Sequence, residues 1–134
     1  MRIGRASRAS LLLMELTVSL LLFALAGAAG IRVIAHSREL SRQARELNRG
    51  VEQVSSAAEL VRSAKSEREA LALLTETWPQ TVTGRETVIQ MEEGRLRLTF
   101  RPEQRLTRCA IAWIVEEEEV YTLELLCSFR EDTP

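Results

Sequence analysis

Histidine occurs once and cysteine twice in the 134 residues, and only 4% of the chain is aromatic. One imidazole and two thiols leave almost no raw material for a zinc site, which wants three or four His, Cys or carboxylate ligands, or for a relay built on imidazole. The charges nearly cancel, with 18 Lys+Arg against 19 Asp+Glu. A dedicated nucleic-acid binder needs an excess of cations to displace phosphate counterions, or aromatic platforms to stack bases, and this chain has neither. It also lacks a Gly-rich phosphate loop, a nucleophile elbow and a paired-carboxylate cleft. The expectation is therefore a non-enzymatic protein without a cofactor, a resident metal or a direct nucleic-acid site.

What is present is a long apolar block. Residues 11–35 read LLLMELTVSLLLFALAGAAGIRVIA, broken by charge only at Glu15 and Arg32. As a helix rising about 1.5 Å per residue, this segment is long enough to cross a hydrocarbon layer of roughly 30 Å. The preceding residues 1–10 carry Arg2, Arg5 and Arg8 and no acid, a basic leader of the kind retained on the cytoplasmic side. Arg32, Arg38, Arg42, Arg45 and Arg49 follow on the other flank, so positive charge alone does not set the orientation. A secretory signal would also show a basic start, an apolar stretch and small residues such as Ala26-Gly27-Ala28. Glu15 speaks against it, because a carboxylate at the bilayer centre costs on the order of 2.5–3.5 kcal/mol and so marks a function.

Arg8-Ala9-Ser10, then Leu11-Leu12-Leu13-Met14-Glu15, then an apolar helix, resembles the processing site of type IV prepilins and pseudopilins. The resemblance implies cleavage between Ser10 and Leu11 by a prepilin peptidase, methylation of the new terminus at Leu11, and a role for Glu15 in filament assembly. Ser10 stands where the family most often has glycine, Leu12 where threonine is common, and no proline bends the helix. The implied function is a minor pilin or pseudopilin, a structural subunit of a filament serving pilus assembly, DNA uptake or type II-like secretion. Its implied partners are other pilin or pseudopilin subunits, the peptidase, a membrane assembly platform and the lipid bilayer. The alternative is an uncleaved single-pass membrane protein whose extracytoplasmic helix and sheet bind another envelope protein.

Beyond the span, Leu40, Ala44, Leu47, Val51, Val54, Ala58 and Val61 recur every three or four residues, an apolar helical face expected to pack mainly on its own domain. Arg38, Arg42, Arg45 and Arg49 lie on the opposite face, either available to headgroups or acidic neighbours or forming a solvated face with Glu46 and Glu52 nearby. His36 falls at the membrane exit and is read as an interfacial residue. Gly50 inside the helix suggests a bend or fraying, at about 1 kcal/mol relative to alanine. Ser66-Glu67-Arg68-Glu69 forms a capping box opening a second helix that carries Leu71, Leu74 and Trp78 and stops at Pro79.

The C-terminal part reads as strands. Leu96, Leu98 and Phe100 alternate with arginines over residues 95–101, and a turn at Glu93-Gly94 would set Met91 opposite Leu96 and Ile89 opposite Leu98 before Pro102 ends the hairpin. Residues 109–115 and 121–127 form a second hairpin through the acidic run at residues 116–119, a solvated tip lacking the pattern of a wrapped calcium loop. With Val115 opposite Tyr121, Trp113 meets Leu123, Ile111 meets Leu125 and Cys109 meets Cys127. That register permits a disulfide, which would place the C-terminal part in an oxidising compartment with the N-terminus cytoplasmic. Two buried free thiols are the other reading.

The expected fold class is α+β: a long N-terminal helix, half transmembrane and half amphipathic, packed on a small four-stranded antiparallel sheet, as in pilins. The expected divisions are a leader at 1–10, the span at 11–35, an extracytoplasmic amphipathic helix with a short second helix at 36–78, and the sheet at 79–134.

Overall fold

The computed structural model describes residues 3–129 of the chain. Arg2 lies outside the described residues. Seven elements follow in order: helix α1 (Ile3–Ser63), helix α2 (Glu67–Thr77), and strands β1 (Thr81–Val82), β2 (Thr87–Gln90), β3 (Arg95–Glu103), β4 (Leu106–Val115) and β5 (Glu118–Cys127). The fold is α+β, and the chain divides into two compact units, Met1–Gln43 and Ala44–Pro134.

The first unit is helical. Its large apolar side chains from Leu11 to Ile34 are exposed, and α1 is the one helix among the described residues long and apolar enough to cross a membrane. The Thr17 hydroxyl donates to the Leu13 carbonyl at 2.7 Å, which satisfies the hydroxyl within the helix and suits it to an apolar surrounding. Glu39 accepts from Arg42 at 2.7 Å and from Gln43 at 3.1 Å. These bonds, the Arg42 one foremost, hold the Glu39 carboxyl below its ordinary pKa.

In the second unit all five strands form one antiparallel meander in the order β1-β2-β3-β4-β5. The expected sheet had four strands. The fifth, β1, pairs Thr81 with Ile89 and Val82 with Val88, and two residues are too few to show an alternating pattern. Ile89, Leu96, Leu98, Cys109, Ile111, Trp113 and Leu125 line the buried face of the sheet, and Val54, Ala57, Ala58 and Val61 of α1 with Ala70 and Leu74 of α2 complete the core.

The apolar stripe of α1 divides. Val54, Ala58 and Val61 are buried, whereas Leu40, Leu47 and Val51 are exposed. The buried residues on this part of α1 are Gly50, Val54, Ala57, Ala58 and Val61. Gly50 admits the Trp113 ring. A Cβ on Gly50 would lie 2.7 Å from Trp113 Cδ1. The expected bend at Gly50 is thus replaced by an uninterrupted helix in which the glycine is a contact point.

α2 begins at the expected Ser66 cap, with the return bond from Glu69 falling on Lys65 rather than on Ser66 itself. The Ser66 hydroxyl accepts from the Glu69 amide at 3.2 Å, and the Glu69 carboxylate accepts from the Lys65 amide at 2.9 Å. Trp78 caps the helix, its amide bonded to the Leu74 carbonyl, and Pro79 prevents continuation.

Both hairpins keep the expected buried face but not the expected register. In the first, Ile89 faces Leu96 and Thr87 faces Leu98, two residues away from the expected pairing. The chain turns through Met91–Gly94, closed by the Met91 amide on the Gly94 carbonyl at 2.9 Å. In the second, Cys109 faces Leu125, Ile111 faces Leu123 and Trp113 faces Tyr121, with an irregularity between Trp113 and Ile114. The acidic run does not form a four-residue tip. Only Glu116 and Glu117 turn, with φ of 50° and 69°, as a hairpin of primed type requires, and Glu118 and Glu119 enter β5. A shift of two preserves the face because side chains alternate with period two.

Pro102 does not end the strand either. It pairs with Thr107 inside β3. β2 covers β3 only as far as Leu98, so beyond that point β3 has an open side on which a missing N–H leaves no ladder bond unmade.

Candidate functional site

The residues singled out from sequence fall in two places, one in each unit. Ser10, Leu11 and Glu15 all lie on α1 and are exposed. Leu11 and Glu15 are one turn apart, and together with Met14, Val18 and Ser19 they line one shallow groove on the helix surface. The arrangement is an apolar helical face with one carboxylate in it. In lipid such a group is stable only at the interface, or beside a cation or hydrogen-bond donor from another chain.

Cys109 and Cys127 lie in β4 and β5, and both are buried free thiols. The register sets Cys127 opposite Thr107 and Cys109 opposite Leu125, so the two are diagonal neighbours on one face rather than a facing pair. Diagonal Cα atoms lie about 7–8 Å apart, at or beyond the reach of a disulfide without backbone movement. Burial pushes the Cys109 thiol up to about 12 from its ordinary 9.0, with the neighbouring Cys127 and Glu67 adding to it. Burial also raises Cys127, partly offset by Arg62. Neither is a thiolate at neutral pH, which removes nucleophilic and ligand character from both.

Two glutamates of the acidic run pair with arginines of β3. Arg95 pairs with Glu117 at 2.5 Å and Arg97 with Glu119. On the same outer face Arg108 pairs with Glu103 at 3.0 Å and Glu124 at 3.1 Å, and these two bonds, Glu103 first, raise its pKa. Among the described residues no group of three His, Cys, Asp or Glu is placed to hold a metal ion.

The arginine row of α1 is also engaged. Arg42 bonds Glu39, and Arg49 pairs with Glu93 at the β2–β3 turn.

Sequence reasoning missed a site around Trp113. Its ring is enclosed by two glycines: Gly50, where a Cβ would meet Cδ1, and Gly94, where a Cβ would lie 2.8 Å from Cζ2 and 3.1 Å from Cε2. The indole Nε1 is buried and has no hydrogen-bond partner among the described residues. An unpaired buried donor of this kind costs about 1–3 kcal/mol. Beside it, Arg49, Gln53, Trp78, Gln80, Met91 and Glu92 help to line an open groove of about 510 Å³. The available signal was the pair of glycines, one inside a helix and one after a turn, neither with positive φ; each marks a close approach rather than a backbone bend.

Comparison with known protein families, with curated proteins and with solved structures finds no match.

Proposed function

We propose that the protein is a structural subunit of a type IV filament, of the minor pilin or pseudopilin kind, made with a basic leader, processed between Ser10 and Leu11, and inserted into the filament through α1. The observation that carries this reading is the setting of Glu15. It is the one acid in residues 11–35, five residues after Ser10, on the same helix face as Leu11, in a stretch whose apolar side chains are left unburied by the described residues. Cleavage before Leu11 creates an amine. A subunit leaving lipid for an apolar filament core carries that amine and the Glu15 carboxylate with it, and pairing Glu15 with a neighbour's amine offsets the desolvation of both.

The exposed Leu47 and Val51 on the later part of α1 support the same reading, since they offer apolar surface to other helices. The reading requires the basic leader to lie in the cytoplasm and the sheet outside it, a topology that the arginines on both flanks of the span do not set by charge alone.

Glu15→Ala tests the assembly role. The change removes a charge from an apolar helix, so membrane insertion is retained. The expected outcome is a normal amount of protein in the membrane and loss of its crosslinks to other filament subunits. Undiminished crosslinking would sink the reading.

A further inference from the structure

The unpaired, buried donor of Trp113 lies at a definite place. Nε1 is bonded to Cδ1, which lies against Gly50, and to Cε2, which lies against Gly94. The N–H edge therefore runs between α1 and the β2–β3 turn. Arg49 and Glu93, each adjacent in sequence to one of those glycines, pair across the same gap, and both line the groove with Trp113. The pair is exposed, 54% and 53%, so water competes for it and it opens readily.

The groove has a sign. Glu52, Glu92 and Glu93 stand around it with Arg49 as the one cation, and neither Glu52 nor Glu92 has an ion-pair partner among the described residues. Trp78 and Met91 are half-buried and supply apolar walls. A lining residue with a buried unpaired donor, three acids against one cation and an aromatic wall call for an occupant with an acceptor, a cation and an aliphatic stem.

We propose that this groove docks a basic peptide segment of a partner protein. An arginine or lysine lays its stem against Trp78 and Met91, its charge meets Glu52 and Glu92, and a main-chain carbonyl of the segment accepts from Trp113 Nε1 once the Arg49–Glu93 pair opens. A lone water would also accept from the indole, but it would leave the acidic rim unused. The inference goes beyond the filament reading and does not depend on it, because a membrane-anchored monomer would carry the same groove.

The test uses the 15N-labelled full chain in zwitterionic micelles, following the two tryptophan indole N–H resonances by NMR, with Trp78→Phe to assign them. The probes are acetyl-Gly-Arg-Gly-amide and acetyl-Gly-Glu-Gly-amide. The expected result is a saturable shift of the Trp113 indole with the arginine peptide alone, weakened about two- to fivefold in Glu52→Gln/Glu92→Gln. No shift up to the solubility limit, an equal response to the glutamate peptide, or unchanged affinity in the double variant would overturn the proposal. So would an exchange peak to a long-lived water that the arginine peptide fails to displace.

Discussion

Gly50 and Trp113 are in direct contact, and a single added methyl at position 50 would come within 2.7 Å of the indole Cδ1. The contact joins α1 to β4. The atoms approached are the ring's Cδ1 and Cγ and the Cβ of Trp113, near the backbone and unable to swing aside.

Gly50→Ala should therefore destabilise the second unit, although alanine is the better helix former. The propensity gain is about 1 kcal/mol and the overpacking cost about 1–3 kcal/mol, leaving a net loss of up to about 2 kcal/mol. In a Trp113→Leu background the clash is gone and the same substitution should stabilise. Thermal unfolding of the four chains in micelles measures the change of sign; a stabilising Gly50→Ala in the native background would refute the contact.

The β4–β5 turn stores strain at two glutamates in the left-handed region. Replacing Glu116-Glu117 by Asn-Gly supplies residues that adopt this conformation readily, and should raise stability by about 1 kcal/mol. The lost Arg95–Glu117 pair is exposed on the glutamate side, at 79%, and subtracts little. A lower unfolding temperature would contradict the turn geometry.

The two thiols should be inert in the folded protein. Maleimide at neutral pH is expected to label neither Cys109 nor Cys127 until denaturant is added, and prompt labelling of the native chain would contradict their burial. Alkali gives the matching result. The Cys109 thiol ordinarily ionises near 9.0 and is held neutral up to about 12 in the fold, so above pH 9 the unfolded chain loses its proton first. The stabilising contribution is present in full below that pH and declines as pH rises from about 9 towards 12. Cys109→Ala should flatten this alkaline decline in urea unfolding.

Elements with a strong local signature were legible in the sequence: the apolar run of α1, the Ser66 and Glu69 cap of α2, and the alternation of Leu96 and Leu98 with arginines in β3. The registers were not. A turn shared between Met91 and Gly94, and a two-residue turn built from glutamates rather than Asn-Gly, carry no clear local signal, and an error of two residues leaves the same faces buried. β1 is too short to have a period. Glu15 could be found because a charge in an apolar run conflicts with its surroundings, whereas the Trp113 groove depends on Gly50, Gly94 and Trp113 meeting from three distant segments.

Processing as a prepilin is decided at one peptide bond, between Ser10 and Leu11. Intact mass and N-terminal peptide mapping of the protein purified from its native membranes should give a chain beginning at Leu11, with or without an added methyl group. A chain that retains the basic leader through Arg8 would contradict the account in favour of an uncleaved anchor, and one beginning beyond Ala26 would make it a secreted domain.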